Sequence, residues 1–414
     1  MRVTRKGIGR RVSRLFDSGK SPQTATGIVR LTPEKAVSGR VLMSYATQVY
    51  LNLLAGEEFD RTHISAWQNF NMARTFLDLG FEVDVFNFED SGFLPNRSYD
   101  VAIDIVSNLG RIGENQPDGL IKILFPMFAH WTEHNFRSYA RHRSIAHRRG
   151  ASIKPKRLIT PNDAVEQADV IFCKGGEFGQ STYSYSDTTV IPLIQSGPNA
   201  LDEFVSRDVG HARNNFVWLG GSSAVHKGLD LVLEAFAELP QLNLTVIGKV
   251  PEERQFAEVY RKELFEMPNI QAVGWMDTLS DEFRQVISRS VAIVAPSATE
   301  MSCGSVIAGM MSGLIPIVTE GADIDVSGIG FNVREDSVDG VRQAILELES
   351  ESDGSLADLS RAAWEARRQR YGKQKFLDSF RTAVCGALGV VPAPEWETDD
   401  PEPRIPKIEL VGPV

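Results

Sequence analysis

Apolar positions recur along this chain with two periods. Short apolar runs at Arg40 to Tyr45, Phe81 to Phe86, Tyr99 to Ile105, Ile121 to Phe125, Ala168 to Cys173 and Thr189 to Leu193 read as strands. Between them, Ile64 to Gly80 has helical spacing and gathers Trp67, Phe70, Ala73, Phe76 and Leu77 on one side. The second half repeats the alternation, with strands expected at Phe216 to Leu219, Leu244 to Ile247, Ile270 to Val273, Val291 to Ala295 and Ile315 to Val318. Strands that alternate with helices predict an α/β fold built on parallel, doubly wound sheets. The turn signal Gln195-Ser196-Gly197-Pro198-Asn199 marks the break between halves. The expected division is a basic segment 1–37, a Rossmann-like domain 38–205, a second Rossmann-like domain 206–388 and a tail 389–414. Ligands of such sheets bind beyond the carboxyl ends of the strands.

The richest stretch follows one of those ends. After Val291 to Ala295 come Pro296-Ser297, the acid Glu300, the small residues Ser302-Cys303-Gly304-Ser305, and a helical pattern through Val306, Ile307, Met310 and Met311 that Gly313 and Pro316 end. Strand, small-residue turn and helix make a unit that binds phosphates, because the first helical amides are unpaired and carry partial positive charge. A carboxylate just before the helix would repel phosphate and could accept hydrogen bonds from sugar hydroxyls. Together these features point to a nucleotide-sugar site. In a second segment, the strand Asn215 to Leu219 runs into Gly220-Gly221 and then Lys227-Gly228-Leu229-Asp230-Leu231, which opens an amphipathic helix.

These segments resemble the retaining glycosyltransferases of the GT-B fold known as group 1. That family carries Pro-Ser, two or three residues, Glu, seven residues and a second Glu, then Ala-Met-x-x-Gly-x-Pro and two β-branched residues. Pro296-Ser297, Glu300, Met310, Gly313 and Pro316-Ile317-Val318 match, with one residue more than usual between Gly313 and Pro316. The second Glu is replaced by Ala308, so ribose contacts must be arranged differently. Gly220-Gly221 and Lys227 to Phe236 follow the family's second motif, without the Arg that many members place near Gly221. The resemblance implies two Rossmann-like domains facing across a cleft, with the donor on the second and the last helix, Phe376 to Leu388, crossing back to the first. It also implies that Glu300 holds the sugar and Lys227 the donor diphosphate. Gly220, Gly221, Cys303, Gly304, Ser305 and Val306 would line the donor, with Trp275 and Met276 near the base. Retention of configuration is implied by the resemblance alone.

On the acceptor side, His130 follows a first-domain strand end, where the family places a residue close to the reacting sugar; a structural histidine is the other reading. His63, ahead of the first long helix, is a further candidate, with a cap or loop role opposed to it. Cys303 could be mistaken for a nucleophile, but no histidine is near in sequence, and packing or backbone contact is its expected role. No residue is assigned to a metal, no Asp-x-Asp is placed to bind an ion, and no cofactor is expected beyond a donor substrate such as a UDP- or GDP-sugar.

Composition narrows the setting. The 414 residues are 42% hydrophobic and 24% charged, which are globular values. No apolar run approaches membrane-spanning length, three scattered cysteines suggest no disulfide framework, and a cytoplasmic location is expected. A net charge of −10 argues against nucleic acid as a partner. Residues 1–20 hold seven basic residues against Asp17, and a helix there would make a basic amphipathic face for peripheral contact at the inner membrane surface; a disordered basic arm is the alternative. The basic run 137–157 reads as a solvated helix face, or as a contact for lipid phosphate or an anionic acceptor. The acidic, Pro-rich tail is expected to be disordered.

The leading expectation is a glycosyltransferase that uses a nucleotide sugar and an acceptor glycan or lipid-linked glycan in cell-surface polysaccharide synthesis. A catalytically lapsed GT-B binding protein is the alternative that Ala308 and the missing Arg favour. A nicotinamide-dependent oxidoreductase would need Gly-x-Gly-x-x-Gly after a strand, and Gly220-Gly221 lacks that spacing.

Overall fold

The computed structural model describes residues 27–59, 64–114, 116–198, 202–391 and 405–412. His63 and the basic segment 1–20 lie outside the described residues. The first sheet comprises β1 (Ile28–Thr32), β2 (Gly39–Tyr45), β3 (Phe81–Asn87), β4 (Val101–Asp104), β5 (Ile121–Leu124), β6 (Val170–Cys173) and β7 (Thr189–Pro192). The second comprises β8 (Asn215–Leu219), β9 (Asn243–Ile247), β10 (Ile270–Gly274), β11 (Ala292–Ala295), β12 (Ile315–Val318) and β13 (Phe331–Asn332); β14 (Lys407–Val411) returns to the first. Strand order is β14-β1-β3-β2-β4-β5-β6-β7 in one sheet and β10-β9-β8-β11-β12-β13 in the other. Both sheets are parallel apart from β1, which runs antiparallel to β3 and β14. The expected pair of doubly wound sheets is borne out. Buried strand runs such as Val41-Leu42-Met43 and Ala292-Ile293-Val294 explain it, since parallel strands are covered on both faces.

Two expectations at the termini need correction. Segment 1–37 contains β1, where Ile28, Val29 and Leu31 are buried and Arg30 reaches the buried Asp84 on β3 at 2.8 Å. Within the tail expected to be disordered, Lys407–Val411 forms a strand that pairs with β1 from Ile28↔Val411 to Thr32↔Lys407. Composition was a poor guide there, because an edge strand needs only backbone partners. Leu410 is left largely exposed, so β14 adds ladder hydrogen bonds and little core.

The helix Lys373–Leu388 crosses back as expected. Phe376 packs on Trp67 and Phe125, and Phe380 on Phe76, Phe125 and Phe172, with ring centroids 6.0–6.3 Å apart.

The basic run is only partly a solvated face: Arg143 and Lys154 are exposed, whereas other members pair with acids of the second domain. The helix Trp131–Arg149 lies against the second domain, with Ile145 and Ile153 inside that domain's core. Arg148 pairs with Asp230 (2.7 Å) and Glu234 (2.6 Å), Arg149 with Glu234 (3.0 Å) and Glu263 (2.8 Å), and Lys156 with Glu253 (3.1 Å). Buried Arg141 bonds to Asp336 and, at 3.1 Å, to the Pro296 carbonyl. Their partners are acids scattered through the second half of the sequence, where no local pattern links them to this run.

Candidate active site

The carboxyl ends of β8 to β12 form one rim facing the first domain. After β8, Gly220 sits on the Trp218 ring, where an added Cβ would come within 2.4 Å of a ring carbon. Gly221 has open space around its Cα. The chain then turns so that the Lys227 amide donates to the Ser223 carbonyl (3.0 Å). Gly228 caps the helix Leu229–Ala237 with φ +73°, and a Cβ there would meet the Pro296 carbonyl at 2.1 Å. That close approach is why glycine follows the lysine: it lets the Lys227 turn lie directly on the loop leaving β11.

The two sequence motifs are stitched together by backbone. The Ala298 amide donates to the His226 carbonyl (2.8 Å), and His226 Nε2 donates to the Thr299 carbonyl (2.7 Å). Glu300 and Cys303 donate their amides to the Gly321 and Ala322 carbonyls at 2.7 and 2.9 Å. Glu300 is thereby held where Lys227 Nζ reaches its Oε1 at 2.7 Å.

A third residue completes the cluster from the first domain's side. Arg157 forks onto Glu300, NH1 to Oε1 at 3.1 Å and NH2 to Oε2 at 3.2 Å, and its guanidinium lies 5.4 Å from the Phe128 ring centroid. Burial alone would raise the Glu300 pKa, but Arg157 and then Lys227 overcome it and hold the carboxyl well below the usual range. One carboxylate thus stands between two cations in a largely buried cluster, with a net positive charge that suits an anion.

His134 and His226 flank the cluster with ring centroids 4.7 Å apart. His134 Nε2 donates to the Arg157 carbonyl at 2.9 Å. Burial pushes His134 down to about 4 and holds His226 well below its ordinary value, so both are neutral and serve as donors to the backbone beside Arg157 and Glu300.

Of the other residues expected at the donor, Cys303 caps the helix Gly304–Met310, is buried, and has Sγ 3.3 Å from Ser305 Oγ. Gly304 is exposed with open space at its Cα, and Ser305 is half-buried. Val306 is corrected: its side chain is fully buried in the core with Ala295 and Met310, and its amide bonds to the Cys303 carbonyl. Trp275 is 65% exposed beyond the edge strand β10, while Met276 packs partly into the core beneath it. Ala308 is buried and offers ribose nothing.

His130 lies elsewhere. It is the N-cap residue of the helix Trp131–Arg149, with Nδ1 2.7 Å from Thr132 Oγ1 and Nε2 3.2 Å from the Tyr185 hydroxyl, which donates to Glu166. Burial lowers its pKa. Phe128, Trp131, Asn162 and Tyr183 line a small pocket with it. Phe128 also underlies Arg157, so this pocket and the Glu300 cluster share a wall.

Sequence reasoning missed Arg157, the two flanking histidines and Asp323. Asp323-Ile324-Asp325 has the Asp-x-Asp spacing, yet Asp323 accepts amides from Gly176 (2.7 Å), Gly179 (3.1 Å) and Ser302 (3.2 Å), and Asp325 pairs with Arg370. Asp323 therefore pins the Glu300 loop to the first domain's glycine turn. The run of bases before Arg157 was visible as a signal; its target was not.

Residues 213–351, about a third of the chain, match the family model described as Glycosyl transferases group 1. No curated protein matches the sequence. Among solved structures, sucrose-phosphate synthase from Thermosynechococcus elongatus is similar, with 11% identity, 84% of this chain and 99% of that chain covered, and a TM-score of 0.54. HepE of Anabaena, solved in complex with UDP, shares 11% identity over 85% of this chain and 99% of that one, with a TM-score of 0.50. The two facing sheets have the GT-B architecture. Residues 213–351 of the second domain are similar to the group 1 glycosyl transferases, and the chain as a whole shares the fold of these structures.

Proposed function

We propose that the chain moves a sugar from a nucleoside diphosphate donor seated on the second-domain rim to an acceptor hydroxyl presented by the first domain. The observation that carries this is the Lys227–Glu300–Arg157 cluster, where two cations share one carboxylate between the domains. In transfer, the bond from the anomeric carbon to the diphosphate oxygen breaks and its electron pair goes to the phosphate. Lys227 and Arg157 stabilise that growing charge, and Arg157 supplies the guanidinium that the second motif lacks. Glu300 accepts from sugar hydroxyls. The new bond forms from the acceptor oxygen, whose proton passes to the leaving phosphate, with retention as the family resemblance implies. Gly221 and Gly304 leave room for the donor, and Trp275 is available to a base. His130 and its pocket sit on the acceptor side, for a glycan or lipid-linked glycan of cell-surface polysaccharide synthesis. HepE was solved with UDP, so a UDP-sugar is the first donor to test.

Among the described residues, no helix is long and apolar enough to cross a membrane, and action in the cytoplasm or at the inner membrane surface is part of the proposal. A lapsed, donor-binding protein is the second reading, favoured by buried Ala308 where the ribose-holding acid would stand. Thermal shift against a nucleotide-sugar panel, followed by donor turnover with and without acceptors, separates the two. Glu300→Ala and Lys227→Ala should each lower turnover roughly tenfold or more. Normal turnover in both variants rejects the site, and binding without turnover supports the lapsed reading.

A further inference from the structure

The chain passes between domains at 193–198 and again at 371–372, and the Gly372 amide donates to the Gln195 carbonyl (3.3 Å) where the passages meet. A basin of about 510 Å³ opens there, within the size range of small-molecule sites. Its described lining includes four cationic side chains, Arg367, Arg368, Lys373 and Lys375, against the single carboxylate of Asp202. That concentration stands out in a chain with a net charge of −10.

Three observations show a built site. Arg367 is 7% exposed and lies in the wall; its NH1 pairs with Asp202 at 2.8 Å, while its buried Nε has no hydrogen-bond partner among the described residues. The helix Lys373–Leu388 points its N-terminus at the basin, capped by Gly372, which supplies no side-chain acceptor. Its first-turn amides therefore add partial positive charge to that of the side chains. Finally, the walls come from two elements on either side of the crossing. Arg367 and Arg368 end the helix Asp353–Arg370, and Lys373 and Lys375 begin the helix that packs on the first domain.

We propose that this hinge basin binds a free, compact compound carrying two or more phosphate groups, at a site separate from the donor rim. Guanidinium forks and a helix mouth are the groups that recognise phosphate. The protein's overall negative charge disfavours a long polyanion, whereas a small oligophosphate fits the volume. Bound there, it would tie Arg368 on one side of the crossing to Lys375 on the other and brace the angle between the domains.

Isothermal titration of the full chain with inorganic pyrophosphate tests this. Arg368→Gln/Lys375→Gln alters two exposed side chains and should weaken binding at this site at least tenfold with an unchanged melting midpoint, whereas Lys227→Ala should leave that binding in place. Equal binding in the double variant, or complete loss in Lys227→Ala alone, overturns the proposal. Should the double variant melt early, the single Lys375→Gln is read instead against the same criterion. Phosphatidylglycerol vesicles that pellet the wild type but not the hinge variant would assign the basin to lipid headgroups and also overturn it.

Discussion

Replacing Arg157 with alanine removes both arms of the fork on Glu300, at 3.1 and 3.2 Å, and leaves Lys227 as that carboxylate's remaining ion-pair partner. A hydrogen bond to a charged group contributes ~1.5–3 kcal/mol net. If one such bond is transferred to the leaving phosphate in the transition state, its loss lowers kcat/KM by about ten- to hundredfold. Breaking a buried ion pair costs ~3–5 kcal/mol when the remaining charge has no other partner. Because Lys227 stays, the stability loss should fall toward the lower end. The pH dependence has a defined sign. Arg157 holds the Glu300 carboxyl well below its ordinary value of 4.5, so its contribution to stability is present above that value and lost as pH falls through the folded value. Without Arg157 the folded value rises, and acid unfolding should begin at higher pH. Steady-state UDP release with the preferred donor measures the first effect, and urea unfolding across acid pH the second. Arg157→Lys keeps the charge without the fork and should fall between wild type and alanine. Wild-type kcat/KM in Arg157→Ala, together with an unshifted acid limb, would refute the role given to this residue.

Gly228→Ala should destabilise by at least ~1–2 kcal/mol from its left-handed backbone alone, with more from the close Pro296 carbonyl; an unchanged urea midpoint would contradict the packing described. His134 is neutral in the fold with a pKa of about 4 against an ordinary 6.5, so its contribution is full above 6.5 and fades as pH drops toward 4. That shift is worth on the order of 3 kcal/mol, and urea melts from neutral to mildly acid pH should show a shallower decline in His134→Gln than in the wild type. Deleting residues 1–20 should weaken pelleting with anionic vesicles, and undiminished pelleting would leave the segment as a plain basic arm.

Much of this architecture was legible in the sequence. Fully buried runs such as Ile315-Pro316-Ile317-Val318 marked their strands within a residue or two, because local hydrophobicity is itself the cause of their burial. Lys227 and Glu300 could be singled out because each sits at a strand-to-helix turn, where the local chain sets the position of a ligand. The strands β1 and β14 were obscured. Their short alternating patterns lie beside charged and proline-rich sequence, and they are held by strands distant in the chain, β1 by β3 and β14, and β14 by β1.

The chain's local patterns therefore determined that there are two wound sheets and which rim carries Lys227 and Glu300. Only the tertiary structure decided that these two touch, that Arg157 joins them, and that the basic helix spends its charge on acids of the other domain. The physical reason is range: periodicity and turn chemistry act over a few residues, whereas an ion pair across a cleft depends on where two separately folded surfaces come to rest.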